Sequence, residues 1–206
     1  MKRALILDLD NTIYPVSSIA DNLFDQLFNL LDQSAEITEL NITAVKDELT
    51  RRPYHLVADK FNFSKELKDQ GISFLKNITY DLPMQPFEDY QHIQLAQTDK
   101  FLVTTGFSKL QWSKVKMLNI EADFKEIHIV DPEISAQTKK DVFAAIMERY
   151  NYSVEEVLVI GDDPESEIKA AAELGIETFL FDPHNKHADA VFSFRSGALR
   201  DALDYI

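Results

Sequence analysis

The stretch "LILDLDNTIYP", residues 5–15, decides how the rest of the chain is interpreted. A short apolar run ends at two acids, Asp8 and Asp10, which are followed at once by Asn11 and Thr12. A buried parallel strand is typically a short apolar run, and its carboxyl end opens onto the edge of the sheet where ligands gather. The stretch therefore predicts a strand over residues 3–9 whose end carries a functional site.

From about residue 100 the sequence alternates between short apolar segments and amphipathic helical segments. Strands are predicted in "KFLVTTG", "EIHIVD", "EVLVIGDD" and "ETFLFD", and helices over residues 107–118, 138–150 and 164–174. Strands that alternate with helices indicate a parallel sheet covered on both faces, with crossover connections of one hand. We therefore predict an α/β fold whose first strand is N-terminal and whose other strands begin near residue 100.

The region between the first strand and residue 100 has a helical pattern instead. Apolar residues recur at helical spacing over 17–33 after a serine placed to cap the helix, and further helices are predicted over about 43–52 and 64–77. Proline residues break the pattern at Pro53, Pro83 and Pro86. The sequence thus predicts two units, an α/β core of residues 1–15 and 86–206 and a helical insert of residues 16–85.

The composition is that of a globular protein with a strongly acidic balance. The chain has 206 residues, of which 45% are hydrophobic, and its 35 acidic against 21 basic residues give a net charge of -14. This charge opposes attraction to nucleic acid polymers and to anionic membranes. The absence of cysteine excludes disulfides, thiolate metal sites and cysteine nucleophiles. Since no apolar run reaches the roughly 18–20 residues of a membrane span or forms a signal peptide, we expect a cytoplasmic protein.

Polar residues follow four of the predicted strands, and a parallel sheet brings such strand ends to one edge. They are Asp8 and Asp10, Thr104 and Thr105, Asp131, and Asp162 and Asp163, with Lys139 and Lys140 at the start of a nearby helix. Carboxylates that cluster in a buried site repel each other unless a cation compensates. Oxygen ligands without cysteine or histidine favour Mg²⁺. The sequence therefore predicts a magnesium site, which would also shield an anionic substrate.

The order "DLDNT", "LVTTG", Lys139 and "VIGDDPESE" resembles the four motifs of the haloacid dehalogenase-like hydrolase superfamily. The resemblance spans the whole predicted core, and the insert stands where that family carries a small helical cap domain. It implies a Rossmann-like parallel sheet with an inserted cap. With an acid, Asp10, two residues after Asp8, the chain is similar to the phosphatases and phosphomutases of the superfamily. The dehalogenases and transport ATPases of the superfamily carry other residues at that position.

Carried over by position, the resemblance implies a catalytic role for four residues. Asp8 is the nucleophile that forms an aspartyl-phosphate, and Asp10 is the general acid for the leaving alcohol and then the base for water. Thr104, with Thr105 beside it, binds the phosphoryl group. Lys139 binds the same group and neutralises charge on the nucleophile.

The resemblance also implies how Mg²⁺ is held. Its ligands are Asp8, Asp10 through the main-chain carbonyl, and Asp162, and the supporting residues around them are Thr12, Asp163 and Glu167. Glu167 stands where the family usually has aspartate. Similarly, "TKKDVF" replaces the usual Lys-Pro pair, so Lys139 is chosen over Lys140 by its spacing to Phe143, and Thr104-Thr105 replaces a common Thr-Asn.

Several of these residues also have a purely structural interpretation. Asp163 before Pro164 is favoured as a helix N-cap, Asp131 before Pro132 as a turn, and Lys140 as a solvated side chain. Thr12 is equally explained as a turn former. The segment "RRPYH", residues 51–55, is favoured as a charged helix end rather than a patch that reads an anionic substrate. Tyr14-Pro15 leads from the core into the insert and is a candidate for lining the entrance to the site.

The sequence therefore predicts a Mg²⁺-dependent phosphomonoester hydrolase that acts on a small phosphorylated metabolite. "DLDNTIYP" and "TTGFSKLQ" look most similar to pyrimidine 5'-nucleotidases and related phosphatases, so a nucleotide is included among the substrates. Two alternatives remain open, a mutase that passes the phosphoryl group to a sugar and a binding module of the same fold without turnover. The expected partner is the small phosphorylated substrate, with no nucleic acid polymer and no membrane, and the protein is predicted to be a monomer or a dimer.

Overall fold

A six-stranded, entirely parallel sheet forms the centre of the protein. The structure, a computed structural model, describes residues 1–34 and 39–206. The strands are β1 (Ala4–Leu7), β2 (Asp99–Thr105), β3 (Glu126–Val130), β4 (Val157–Gly161), β5 (Glu177–Phe181) and β6 (Phe194–Ser196). The five predicted strands are confirmed. The sixth was not predicted because it has three half-buried residues and so lacks an apolar run.

The strand order is β3-β2-β1-β4-β5-β6, which places β1 between β2 and β4. Ala4 pairs with Asp99 on one side and with Val157 on the other. After β1 the chain builds the sheet outward through β2 and β3, and then returns to the other side of β1. The crevice at such a reversal of strand order is where open α/β sheets bind their ligands. The fold therefore opens the carboxyl end of β1, with its two acids, onto the binding edge.

Helices fill the chain between β1 and β2. They are α1 (Ala20–Gln33), α2 (Glu39–Leu49), α3 (Tyr54–Lys60) and α4 (Lys65–Asn77), followed by α5 (Tyr90–Leu95). Residues 35–38 of the predicted insert lie outside the described residues. The helix α3 was not predicted as a separate element, because Pro53 was interpreted as a break and not as the residue before a new helix.

The predicted serine cap of α1 is wrong. A 3-10 turn, Val16–Ser18, precedes the helix, and α1 begins at Ala20 without a side-chain cap. The Ser18 hydroxyl donates instead to the Pro15 carbonyl at 2.7 Å. Because a serine hydroxyl can bond to the backbone of a turn as well as to a helix end, the residue type alone did not decide between the two.

The remaining helices cover the sheet: α6 (Ser108–Leu118), α7 (Lys139–Tyr150) and α8 (Lys169–Ala172), with a C-terminal 3-10 helix, Leu199–Tyr205. The helix predicted over 164–174 begins with one turn of π-helix, Pro164–Ile168, before α8. Within the described part of the chain, every helix is too short or too polar to span a membrane.

Buried side chains form one cluster on each face of the sheet. Leu5 and Leu7 belong to a cluster that continues into the insert, whereas Ala4 and Ile6 belong to the cluster covered by α7. This alternation along β1 is that of a strand buried on both faces. Since the insert shares its buried cluster with one face of the sheet, the division into a core and a cap stays a prediction.

Candidate active site

A tight turn after β1 presents the two acids. The Asp8 amide donates to the Ile160 carbonyl at 3.0 Å, which ties the start of the turn to β4. Asn11 has a left-handed backbone, with φ of 59°, which asparagine tolerates better than most residues. Its side chain accepts from the Val16 amide at 3.1 Å and donates to the Thr50 carbonyl at 3.0 Å. The turn is therefore fixed both within itself and to the segment after α2.

Asp8, Lys139 and Glu167 form a buried ionic cluster. The Lys139 ammonium lies 2.6 Å from Asp8 Oδ1 and 2.7 Å from Glu167 Oε2, and all three side chains are at most 7% exposed. Burial alone would lower the pKa of Lys139, but the two carboxylates raise it. The lysine therefore keeps its charge beside the predicted nucleophile.

The π-turn between β4 and α8 brings Glu167 into this cluster. The Asp163 carboxylate accepts from the Glu165 amide at 2.9 Å and caps the turn, while the Asp163 amide donates to Glu167 Oε1 at 2.8 Å. Gly161 makes room for the acid, because a Cβ atom there would lie 2.2 Å from Glu167 Cγ. The site thus accommodates glutamate where the resembling family usually has aspartate.

Asp8, Asp162 and Glu167 can hold a metal ion together. Each offers one carboxylate oxygen, and these oxygens lie within 4.8 Å of one another. The Thr12 hydroxyl donates to Asp162 Oδ1 at 3.4 Å, which fixes one of the three groups. Three carboxylates outweigh the single charge of Lys139, and a hard divalent cation such as Mg²⁺ prefers this oxygen donor set. The residues therefore fit the predicted cofactor.

The electrostatics of these carboxyls support the same interpretation. Burial raises the pKa of the Asp8 carboxyl, Lys139 opposes the shift, Glu167 adds to it, and the pKa reaches about 7. Burial and the carboxylates of Glu167 and Asp8 also raise the pKa of Asp162. Like charges held close together in a buried site favour protonation unless a cation joins them. A divalent ion would keep these groups ionised at neutral pH.

Asp10 lies in a different environment, surrounded by donors. Lys114 donates to both of its carboxylate oxygens, at 2.8 and 3.1 Å, Gln111 donates to Oδ2 at 2.9 Å, and the Tyr14 hydroxyl donates to Oδ1. Burial alone would raise the pKa of Asp10, but Lys114 and these hydrogen bonds lower it overall. The side chain of Asp10 thus bonds to Gln111 and Lys114 of α6. The assignment of its main-chain carbonyl to the metal, which the resemblance implies, stays a prediction.

Thr104 lies at the end of β2 on the same cavity. Its hydroxyl is buried and accepts from Gln111 Nε2 at 2.7 Å, and the Thr105 carbonyl accepts from the same nitrogen at 3.4 Å. Since Gln111 Nε2 also donates to Asp10, one amide group connects the predicted phosphate-binding residue to the predicted acid. Thr104, Thr105 and Lys139 all line the cavity, as the predicted phosphate site requires.

The structural interpretations of two other residues are supported by their contacts. Asp131 accepts from the Ser108 amide and hydroxyl, both at 2.8 Å, and from the Glu133 amide at 3.0 Å, so it fixes a turn and the start of α6. Lys140 is exposed and pairs with Glu173 at 2.9 Å, outside the cluster of Lys139. Of the two adjacent lysines, Lys139 is the one that reaches Asp8.

A cavity of about 390 Å³ lies above these residues, between the end of the sheet and the insert. Residues 51–55 line it, although Arg51 and Arg52 also close the end of α2 through amides that donate to Glu48. The segment therefore forms the end of the helix, as favoured, and it also lies where the alternative, recognition of an anionic substrate, requires it. The expectation that Tyr14 lines the entrance is wrong, because this side chain is fully buried beneath Asp10.

Gln111 and Lys114 were missed in the sequence. They lie three residues apart, so both face the same side of α6, and both are buried. The helix otherwise buries Leu110, Val115 and Leu118, so two long polar residues on its inward side are a signal that they meet a partner. That partner is Asp10, which is 101 residues from Gln111 in sequence and therefore could not be assigned from local spacing.

The comparisons identify the family to which the chain belongs. The family model for haloacid dehalogenase-like hydrolases matches residues 2–175, and the chain belongs to this family. A curated relative, the glyceraldehyde 3-phosphate phosphatase of Methanopyrus kandleri, is 23% identical over all of this chain and 97% of its own length.

Two solved structures have the same fold. One is the haloacid dehalogenase-like family protein SP0104 from Streptococcus pneumoniae, with a TM-score of 0.73, 19% identity and coverage of 99% and 98% of the two chains. The other is the putative HAD-hydrolase YfnB from Bacillus subtilis, bound to magnesium, with a TM-score of 0.69, 21% identity and coverage of 98% and 97%. At these identities the likeness establishes the fold.

Proposed function

We propose that the protein is a Mg²⁺-dependent phosphomonoester hydrolase that acts on a small phosphorylated metabolite through an aspartyl-phosphate. One observation carries the proposal. Two acids at the end of β1 face the same cavity in opposite electrostatic environments, Asp8 beside Lys139 and two carboxylates, and Asp10 among three donors. Two carboxylates on one cavity, one paired with a lysine and the other held by separate donors, are the arrangement expected of a nucleophile and a separate acid-base group.

In the first step an Asp8 oxygen attacks phosphorus, and the bond between phosphorus and the leaving oxygen breaks. Lys139, 2.6 Å from Asp8, offsets charge on both the nucleophile and the phosphoryl oxygens. Thr104 accepts its hydrogen bond from Gln111, so its own hydrogen can be donated to a phosphoryl oxygen. The proton that neutralises the leaving alkoxide comes from the Asp10 carboxyl. The negative phosphoryl group that binds beside Asp10 favours this protonated form, against the lowering of the Asp10 pKa by Lys114.

In the second step water attacks the phosphorus of the aspartyl-phosphate. Asp10, now a carboxylate, takes the proton of the water, and the bond between phosphorus and the Asp8 oxygen breaks to release phosphate. The lowered pKa of Asp10 favours this base form. The same residue therefore returns to the protonated state with which the first step began.

Asp8 and Asp162, with the main-chain carbonyl of Asp10, are the predicted ligands that would hold Mg²⁺ in this proposal. Glu167, predicted only as a supporting residue, joins them because its carboxylate lies within reach of the same ion. When bound, the ion supplies positive charge that polarises the phosphoryl group and screens it from the carboxylates. Thr12 holds the Asp162 carboxylate in place through a hydrogen bond, and Lys139 holds those of Asp8 and Glu167. The structure of YfnB, which has the same fold and was bound to magnesium, supports magnesium as the ion.

The insert would select the leaving group. It contributes apolar residues to the cavity, among them Phe24, Leu49, Ile72 and Leu75, together with the basic residues Arg51, Arg52 and His55. Such a lining fits a phosphorylated metabolite with an apolar part and a further anionic or polar group, and a nucleotide is among these. The phosphatase named among the relatives supports the reaction class, and the substrate itself is open to test.

The deciding experiment measures phosphate release from nucleotides, sugar phosphates and 4-nitrophenyl phosphate, with Mg²⁺ or with EDTA. The variant Asp8→Asn removes the nucleophile, and Asp204→Asn, an exposed acid of the C-terminal segment, is the matched control. We expect release that needs Mg²⁺, that survives in Asp204→Asn, and that falls by about 10³-fold or more in Asp8→Asn. Release from no compound would contradict the proposal, and an isomerised hexose phosphate without release would indicate the mutase.

A further inference from the structure

Two residues of α6 surround Asp10 although they lie outside the four motifs. Lys114 is 4% exposed, and its ammonium donates to both Asp10 oxygens. Gln111 is 1% exposed, and its amide donates to Asp10 and to Thr104. Burying an ammonium is unfavourable unless it is paired, so the position of Lys114 in the interior depends on Asp10.

These contacts fix the orientation of the Asp10 carboxyl. A carboxyl that delivers a proton must present one oxygen to the leaving group within hydrogen-bond reach. The Tyr14 hydroxyl and Lys114 bond to Oδ1, while Gln111 and Lys114 bond to Oδ2, so rotation about the terminal side-chain bond would break contacts on both oxygens. The chain therefore holds the acid in one orientation before the substrate binds.

Gln111 also fixes the distance between the acid and the phosphate-binding hydroxyl. Its Nε2 lies 2.9 Å from Asp10 Oδ2 and 2.7 Å from Thr104 Oγ1. The two N–H groups of one amide can serve both acceptors at once. The leaving oxygen, which Asp10 protonates, and the phosphoryl oxygen that Thr104 binds are attached to the same phosphorus atom. A fixed distance between Asp10 and Thr104 therefore improves the alignment for proton transfer.

On the basis of the proposed function, we propose that Gln111 and Lys114 are positioning residues for general acid catalysis by Asp10. Their contribution is largest for substrates whose leaving group needs a proton. The competing role for Lys114 is direct attraction of the substrate's negative charge. That role predicts weaker binding of every phosphate compound, whereas positioning predicts a loss that depends on the leaving group.

The test compares kcat/KM for glycerol phosphate, whose alkoxide must be protonated, and for 4-nitrophenyl phosphate, whose leaving group is stable without a proton. The value of kcat/KM reports the reaction only through the first irreversible step. The attack of water in the second step therefore does not obscure the effect on the departure of the leaving group. For Lys114→Met and Gln111→Met we expect a loss of about 100-fold on glycerol phosphate and less than about fivefold on 4-nitrophenyl phosphate. Lys116→Met, at an exposed position of the same helix, should match the wild type.

Two further measurements separate the roles. The inhibition constant of inorganic phosphate should stay within about threefold in Lys114→Met if the lysine positions Asp10, and rise at least tenfold if it attracts the substrate. In the Asp10→Asn background, Lys114→Met should cause little additional loss on glycerol phosphate, because residues that act as a unit are not additive.

An equal loss on both substrates, or a rise in the phosphate inhibition constant, would overturn the inference. If Lys114→Met does not fold, Gln111→Met keeps the test available, because it leaves the ion pair between Lys114 and Asp10 in place. The proposed function fails separately, when wild type and Asp8→Asn release phosphate equally. A wild type that depends on Asp8 combined with fully active Lys114→Met and Gln111→Met would overturn the present inference alone.

Discussion

Asp8 and Asp10 are two residues apart in sequence and lie in opposite environments. Asp8 shares Lys139 with Glu167 and lies near Asp162, so negative groups outnumber the cation, and the pKa of Asp8 is raised to about 7. Asp10 lies among three donors, and its pKa is lowered. The difference indicates that the charge around Asp8 needs a metal ion for compensation, whereas the charge of Asp10 is compensated by side chains of the protein.

The position of β1 explains how neighbouring residues reach such different surroundings. The strand ends at Leu7, so the regular alternation of a strand no longer applies, and the tight turn directs the two side chains separately. Asp8 meets groups that follow β4 and begin α7, while Asp10 meets α6, which follows β2. Because β2 and β4 lie on opposite sides of β1, the reversal of strand order supplies a different set of partners to each acid.

The largest effect in this comparison is expected from Lys139→Met. The substitution leaves Asp8 and Glu167 buried without the cation that they share, and it removes the charge that we propose stabilises the phosphoryl group during transfer. We expect kcat with Mg²⁺ to fall by about 10²–10³-fold, the loss found when one preorganised donor is removed from an active site. Steady-state phosphate release from the substrate preferred by the wild type measures it.

Lys140→Met is the matched control for this prediction. Lys140 is adjacent in sequence, but it is exposed and pairs with Glu173, and a surface ion pair of this kind contributes little. Its kcat should stay within about twofold of the wild type. Thermal unfolding of both variants confirms that they are folded at the assay temperature. A greater loss in Lys140→Met than in Lys139→Met would reverse the assignment of the two lysines.

Whether a residue of this site could be predicted from the sequence depends on its place in the secondary structure. Asp8, Lys139 and Asp162 could be predicted because each follows or begins an element whose pattern is clear, and parallel strands bring such ends together. Gln111 and Lys114 could not, since they lie within a helix and their partner is fixed by packing. The strands β1, β2, β4 and β5 could be predicted because burial on both faces leaves an apolar run at their centres. The edge strand β3 is mostly half-buried, and it was predicted from its place in the regular succession of strands and helices.

The next largest effect is a loss of stability in Gly161→Ala, because Gly161 has no side chain and leaves space for Glu167. In Gly161→Ala the added methyl group would overlap the Glu167 side chain, which must then move away from Lys139 and the other acids. We expect a loss of about 1–3 kcal/mol in the free energy of unfolding, the usual cost of overpacking. Urea unfolding in the presence of Mg²⁺ measures this loss.

A double variant identifies the cause of that loss. Gly161→Ala combined with Glu167→Asp shortens the acid by one methylene group and relieves the overlap, so the double variant should be more stable than the sum of the two single effects predicts. Residues in direct contact commonly show such coupling, by about 0.5–3 kcal/mol. Additive effects would mean that Gly161 is needed for its own backbone and not for the acid beside it.

The smallest effect is expected in the affinity for Mg²⁺ when one ligand of the carboxylate cluster is neutralised. Glu167→Gln keeps the size of the side chain and removes a charge from the three acids that face one another. Changes around a metal ligand typically weaken binding by about 10–100-fold, and glutamine retains an oxygen, so we expect the half-saturating Mg²⁺ concentration to rise about tenfold. Phosphate release measured over a series of Mg²⁺ concentrations gives that value.

Glu165→Gln separates a ligand effect from a general change of charge. Glu165 lies two residues away in the same turn, is exposed and pairs with Lys169 at 3.5 Å, so its neutralisation changes the net charge equally. Its Mg²⁺ dependence should match the wild type. Equal shifts in the two variants would show that long-range charge attracts the ion, whereas a shift confined to Glu167→Gln would place this glutamate among the groups that hold it. In that case the extra methylene group, for which Gly161 leaves room, would be what brings the glutamate carboxylate to the ion.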